Sequence, residues 1–248
     1  MVVFDLDGTI YFGDRVADGA LELFDFLKSK GKDVVFYTNS TYRSREEIYQ
    51  KLTNMGFRTS VDNVYTSSYA TAVYARECNF SKVGLIGSES FKKELEAFEL
   101  QVVKTGTDID ALVIGLDLQF NYELLAWAVN LYHKSGCKII ASNMDANYPS
   151  QEGRIMPGCG AIVAAVASAC EAKIDFVVGK PNTFMMDLLI SSRGYKESQI
   201  MIIGDSYASD IQMAINCKCR SVFISNRSDE IPNTIICNNL SKVKDLFV

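Results

Sequence analysis

The stretch "VVFDLDGTIYFG", residues 2–13, decides how the rest of the chain is read. An apolar run of strand formers reaches Asp5, passes Leu6, and arrives at Asp7, Gly8 and Thr9. Carboxylates that close repel, so a strand end with only a structural role would avoid the pairing. Residues i and i+2 of a strand point to the same side, so Asp5 and Asp7 are expected to face one crevice. Gly8 lets the backbone turn away sharply behind them.

Outward from that strand, set at residues 2–6, the pattern alternates between strand and helix, which predicts an α/β fold with a parallel sheet. A helix is expected over 18–30, capped by Asp18, with Leu21, Phe24 and Leu27 as its apolar stripe and Gly31 as its stop. "DVVFYTN" (33–39) is the next strand, and Ser44–Glu47 reads as a capping box opening a helix that runs to Gly56. "NVYTSS" is a short strand before a helix near 68–78. "KVGLIGS", "ALVIGLD" and "KIIASN" are further strands, separated by "SFKKELEAFEL" and a helix over 121–135 that stops at Gly136. "DFVVGKP" (175–181) is a strand into a helix whose first turn holds Pro181. "QIMIIGDS" follows, and "RSVFISN" is expected to be the last strand.

The 248 residues, 48% of them hydrophobic, suffice for one large domain or two modest ones. A net charge of −5 gives no electrostatic reason to expect nucleic acid or an anionic membrane as partner. The chain enters a strand at once, without a basic leader, and no apolar run reaches the ~18 residues of a membrane span, so a cytoplasmic protein is expected. The seven cysteines are scattered and odd in number; reduced, mostly buried thiols are expected.

Three strands end in small or polar residues after an apolar run: Asp5–Thr9, Thr38–Ser40 and Gly204–Ser206. Ligands of open parallel sheets bind at the carboxyl ends of strands, so these ends are expected to converge, with Lys180 joining from a fourth strand. Asp210 lies one turn beyond Asp205. Four carboxylates against one lysine leave the cluster at −3, and a divalent cation brings it to −1. Hard oxygen donors without histidine or thiol select magnesium over zinc. The Thr38 hydroxyl, the Asn39 backbone N–H and the Lys180 ammonium suit a phosphate. The single histidine, His133, lies far from these motifs, so a carboxylate must do the acid–base work. One acid of the opening pair would attack while its neighbour, its pKa raised, donates a proton.

"DLDGTI", "YTNS", "VGKP" and "GDSYASD", in this order and each at a strand end, resemble the four motifs of the haloacid dehalogenase superfamily of phosphatases. The resemblance covers nearly the whole chain. It implies a Rossmann-like parallel-sheet core with Asp5 as the nucleophile that forms an aspartyl-phosphate. Asp7 would protonate the leaving alcohol and then activate water. Thr38, Asn39 and Lys180 would hold the phosphoryl group. Asp5, the Asp7 carbonyl and Asp205 would ligate Mg2+, with Asp210 in support. Ser206 and Ser209 stand where the subgroup often carries Arg or Asn and Thr, which would loosen the hydrogen bonding around the site without touching Asp205.

Thr38 and Lys180 are 142 positions apart, which leaves roughly 100 residues beyond two βα units of the core. The expected organisation is core at 1–80, an inserted α/β cap at 81–176, and core again at 177–248. The placement resembles the second cap type of the superfamily and, with "YFGDRVADGALELFDFLKSKGKDVVFYTNST" and "MPGCGAIVAAV", the nitrophenylphosphatase and NagD-like subgroup. The implied substrate is a small phosphate ester: a nucleoside monophosphate, a sugar phosphate, or alternatively pyridoxal phosphate or phosphoglycolate. Asn143, Asp145 and Tyr148 in "SNMDANYPSQEGRIMPG" are candidate substrate contacts, with an ordinary polar turn as the equal alternative. Arg154 reads better as a solvated hairpin residue than as an anion ligand. Trp127 reads as core or dimer contact, and the small residues of 159–172 as close helix packing. A homodimer through the cap is raised by the resemblance and forced by nothing in the sequence. Two readings compete: a phosphoacceptor signalling module, which would be about half this length, and a dehalogenase, which has no use for an acid at position 7.

Overall fold

The computed structural model describes residues 1–103, 106, 108–149 and 154–247. Two compact units divide the chain: Met1–Thr38, Arg45–Tyr65 and Lys180–Val248 form the first, Asn39–Ser44 and Thr66–Gly179 the second. The strands and α-helices follow in chain order as β1 (Val2–Phe4), β2 (Tyr11–Phe12), β3 (Arg15–Val16), α1 (Ala20–Ser29), β4 (Val34–Thr38), α2 (Arg45–Asn54), β5 (Val64–Thr66), α3 (Ser67–Glu77), β6 (Lys82–Ile86), α4 (Glu89–Ala97), β7 (Gln101–Val103), β8 (Ala111–Ile114), α5 (Tyr122–Ser135) and β9 (Lys138–Ala141). They continue as β10 (Asn147–Pro149), β11 (Ile155–Pro157), α6 (Cys159–Ala169), β12 (Phe176–Val177), α7 (Phe184–Arg193), β13 (Met201–Gly204), α8 (Gln212–Asn216), β14 (Arg220–Ile224) and β15 (Thr234–Cys237).

In the first unit the sheet order is β15-β14-β13-β1-β4-β5. β1 pairs in parallel with β13, Val2 opposite Met201, and with β4, Val2 opposite Val34. The chain leaves β1 toward β4 and β5 on one side and returns as β13, β14 and β15 on the other. β1 and β13 therefore flank a topological switch point, where parallel sheets open a crevice at their carboxyl ends. Every residue of β1 and β4 is buried, which is why both read as unbroken apolar runs. The α1 stripe packs here: Ala20, Leu23, Phe24 and Leu27 are buried, the spacing of one helical face. Phe24, Phe36 and Phe57 meet edge-on or stacked with centroids 5.4–5.8 Å apart.

The second unit carries a parallel sheet of order β12-β9-β8-β6-β7 and the antiparallel β10–β11 hairpin. Its core gathers Ile86, Leu112 and Ile114 against Leu131 of α5 and Val163 and Val166 of α6. Trp127 is partly buried and packs against this cluster. α6 lies close to the preceding loop: a Cβ on Gly160 would sit 2.4 Å from the Met144 carbonyl oxygen. Gly160 thus serves close approach to a loop, where the sequence predicts close packing on the sheet for the small residues of 159–172.

Several expectations shift. The units divide at Thr66, not at 81, because α3 packs into the second unit, where Tyr69 meets Phe98 edge-on and Tyr74 stacks on Phe176 at 4.2 Å. α1 is capped by Gly19 in the left-handed region, while Asp18 is exposed and lies 3.9 Å from Arg15; Leu21 is only partly buried and Leu23 takes its place in the core. Pro181 precedes α7 and does not lie within its first turn. β15 follows β14 as a further strand. All seven cysteines are free, six of them buried. Among the described residues no helix is long and apolar enough to cross a membrane.

Candidate active site

Three strand tips of the first unit carry the site. Asp5 follows β1, Thr38 ends β4 and Asp205 follows β13, and these are neighbouring strands of one sheet. Asp5 is held by its own N–H, which donates to the Ile203 carbonyl at 2.9 Å and carries the β1–β13 pairing up to the carboxylate. Asp5, Thr38, Lys180 and Asp210 are all buried. Asp7 is exposed, so the opening pair divides into one desolvated and one hydrated acid.

Lys180 reaches the site by a route that differs from expectation. The strand before it, β12, pairs with β9 in the second unit's sheet and is not a fourth strand of the first. Gly179 allows the passage: a Cβ there would lie 2.6 Å from both the Asn39 side-chain oxygen and the Ser142 carbonyl. From position 180 the ammonium donates to Asp5 Oδ1 at 2.5 Å and to Asp210 Oδ1 at 2.7 Å. Burial alone would lower its pKa; Asp210 and Asp5 outweigh that and raise it, so the lysine stays charged. Its ammonium also lies 5.8 Å from the centroid of Tyr37, whose buried hydroxyl finds no hydrogen-bond partner among the described residues.

Asp210 sits in a π-helical turn, Tyr207–Ile211, capped by Ser206, whose Oγ accepts from the Ser209 N–H at 3.3 Å. The Ser206 N–H donates to Asp210 Oδ2 at 3.1 Å. Of the two serines that depart from the subgroup's pattern, Ser206 thus braces the turn that aims Asp210 with its side chain, while Ser209 contributes its backbone N–H. Gly204 makes room for it, since a Cβ there would fall 2.4 Å from Asp210 Oδ2. A π turn inside a helical segment is a frequent device at functional sites.

Asp5, Asp205 and Asp210 each present a carboxylate oxygen within 4.8 Å of the others. Burial, then the charge of Asp210, pushes the Asp5 pKa well above its ordinary value of 3.8; burial likewise raises Asp205, against the Thr9 hydrogen bond that lowers it. Such acids lack enough positive charge nearby, and Lys180 is already shared between two of them. A hard divalent cation fits this all-oxygen set, with Asp5 and Asp205 as the carboxylates that would hold it and Asp210 close enough to join or support them.

Sequence reasoning missed two residues. The Thr9 hydroxyl donates to Asp205 Oδ1 at 2.8 Å, across 196 positions of sequence. The Tyr11 hydroxyl donates to Asp7 Oδ2 at 3.2 Å. The sequence signal for Thr9 was its place beside the two acids, where it reads only as part of a turn.

In the second unit, Asn39 donates its side-chain amide to the Asp145 carboxylate at 3.1 and 3.2 Å, and Asn143 donates to the Asn39 carbonyl at 2.7 Å. Two of the three predicted substrate residues are thus gathered on Asn39, the residue after Thr38. Tyr148 is on β10, opposite Met156. Arg154 is exposed, and Ser150, Gln151, Glu152 and Gly153 of the same predicted loop lie outside the described residues. His133 is in the last turn of α5.

Comparison with known proteins matches residues 2–101 to the haloacid dehalogenase-like hydrolase family and residues 177–241 to a HAD-hydrolase-like family. Phosphoglycolate phosphatase 2 of Arabidopsis thaliana is 32% identical, over 90% of this chain and 81% of its own. Acid sugar phosphatase of Staphylococcus epidermidis is 32% identical, over 96% of this chain and 94% of its own. The crystal structure of 4-nitrophenylphosphatase from Thermotoga maritima superposes with a TM-score of 0.91 at 30% identity, covering 98% of this chain and 95% of the other. The chain belongs to the haloacid dehalogenase-like hydrolases, in their NagD-like and nitrophenylphosphatase branch. It is a phosphatase by that membership, and a likeness running through both units sets aside the short signalling module.

Proposed function

We propose that the protein hydrolyses small phosphomonoesters through an aspartyl-phosphate on Asp5, with Mg2+ as cofactor. One observation carries the reading: a buried carboxylate at a switch-point strand tip, bridged by a buried lysine to Asp210 and within ligand distance of Asp205. Bound Mg2+ would neutralise charge on the transferring phosphoryl group and keep Asp5 ionised. Asp5 attacks phosphorus while Asp7 gives a proton to the departing alcohol oxygen. Asp7, now a carboxylate, takes a proton from water as that water attacks the phosphoenzyme. Lys180 and the Thr38 hydroxyl hold equatorial phosphoryl oxygens, joined by the Asn39 N–H. The exposure of Asp7 suits it to exchange that proton, and the burial of Asp5 shields the acyl phosphate it forms.

Relatives are named for phosphoglycolate, sugar phosphates and nitrophenyl phosphate, and the substrate here belongs with such small esters. We assign the inserted unit the part of a cap, with Asn143, Asp145 and Tyr148 selecting the leaving group. Phosphate release from a panel of phosphorylated metabolites, with Mg2+ and after chelation, is the test. Turnover that needs the cation and vanishes in Asp5→Asn is expected; full activity in that variant would remove Asp5 as nucleophile. Alanine at 143, 145 or 148 should change the order of preference among substrates, and an unchanged order would deny these residues that part.

A further inference from the structure

The Asp7 carboxylate is exposed, yet one of its oxygens is engaged by a residue of the core. Tyr11 is 2% exposed and packs among the apolar residues around β1 and α1, and its hydroxyl alone reaches out to Asp7 Oδ2. The backbone fixes the same geometry. The Gly8 N–H donates to the Tyr11 carbonyl at 2.9 Å, and the Leu6 carbonyl accepts from Thr9, Ile10 and Tyr11, so Asp7 and Tyr11 face each other across a bridged turn. Over the Tyr11 ring lies Lys51 of α2, its ammonium 3.7 Å from the centroid and 3.9 Å from Asp14. Lys51 is itself only 13% exposed. A cation on the ring face is attracted by the π electrons and draws density from the phenol, which makes the hydroxyl a stronger donor.

We propose that Tyr11, backed by Lys51, is a positioning residue that helps hold Asp7 in the rotamer its proton transfer needs. The inference rests on the reading of Asp7 as the acid. As the bond from Asp5 to phosphorus forms and the ester bond breaks, the Asp7 proton passes to the leaving oxygen. Tyr11 keeps its own proton throughout. Loss of the hydroxyl removes one of the contacts that orient Asp7, so the acid is less often aligned.

The test uses two esters. A nitrophenolate leaves readily without a proton, whereas an alkyl alkoxide such as that of glycerol phosphate needs one. Tyr11→Phe keeps the ring in the core, and kcat/KM reports only steps up to the phosphoenzyme. The expected result is a loss of roughly tenfold in kcat/KM on the alkyl ester, with less than about threefold on nitrophenyl phosphate. Lys51→Met should show the same selectivity at smaller size, and Lys51→Arg, which keeps a cation on the ring, should restore it. Equal losses on both esters, or none on either, would overturn the positioning role. Asp7→Asn separates the two ways of failing. Full alkyl-ester activity in that variant overturns Asp7 as the acid and this inference with it. Selective loss in Asp7→Asn, with Tyr11→Phe unaffected, overturns the inference alone.

Discussion

Replacing Lys180 by methionine leaves the carboxylates of Asp5 and Asp210 buried together with no cation between them. Removing one partner of a buried charge cluster is costly, and Lys180→Met should lower stability by about 3 kcal/mol at neutral pH. The deficit should shrink in mild acid, where one carboxylate protonates, and phosphatase activity should fall at least about a hundredfold. Denaturant melts at two pH values check the first part; a deficit that does not move with pH would mean that the lysine acts by packing. Gly8 is the second decisive residue. Its φ is +96°, and a Cβ there would meet Asp205 Oδ2 at 2.3 Å. Gly8→Ala should therefore cost more than about 1 kcal/mol and also weaken Mg2+ binding, by displacing Asp205. Calorimetric titration with Mg2+ would register an unchanged affinity if that were wrong. Asp5, Asp7, Thr38, Lys180 and Asp205 were legible because each interrupts an apolar run at a strand end or follows one. Thr9 and Tyr11 were not, since a hydroxyl's partner is a matter of tertiary approach.

At the scale of elements, the π turn that presents Asp210 depends on its cap. Ser206→Ala removes the acceptor of the Ser209 N–H and should cost about 1 kcal/mol. It should lower kcat more than KM, because Asp210 anchors Lys180 and not the leaving group. An unchanged kcat would show that the turn holds its shape without the cap. Periodicity located most helices and nine of the fifteen described strands, since the stripe of α1 and the buried runs of β1 and β4 are the direct imprint of one-sided or two-sided burial, while two- to four-residue strands such as β2, β3 and β7 are too short to carry a period. It failed where the pattern carries no partner. β12 reads as one more core strand, yet it hydrogen-bonds to β9 of the other sheet, and nothing in "FVV" tells one parallel neighbour from another. β15 was overlooked because only Cys237 of its four residues is buried.

For the whole molecule, the raised acids predict how stability depends on pH and metal. Asp5 and Asp205 have folded pKa values above 3.8. Between that ordinary value and the raised ones, the folded state binds more protons than the unfolded state, so metal-free stability falls as pH rises through the window. Mg2+ at the proposed site would bind the ionised form and oppose this. The rise in Tm on adding Mg2+ should therefore be larger near pH 7.5 than near pH 5. Scanning calorimetry with and without chelator measures it, and an equal rise at both values would mean that these acids are not the ligands.

What the sequence determined by itself was the chemistry. The kinds of residue at the strand tips, their order, and the excess of negative charge suit a hard cation and a phosphate, whatever the exact path of the chain. Packing of distant segments settles which acid is dry and which is wet, which sheet delivers Lys180, and which hydroxyls donate to Asp7 and Asp205. These turn on distances between residues as much as 196 positions apart, and on burial. Local patterns record the face a residue presents, but not what packing brings up against it.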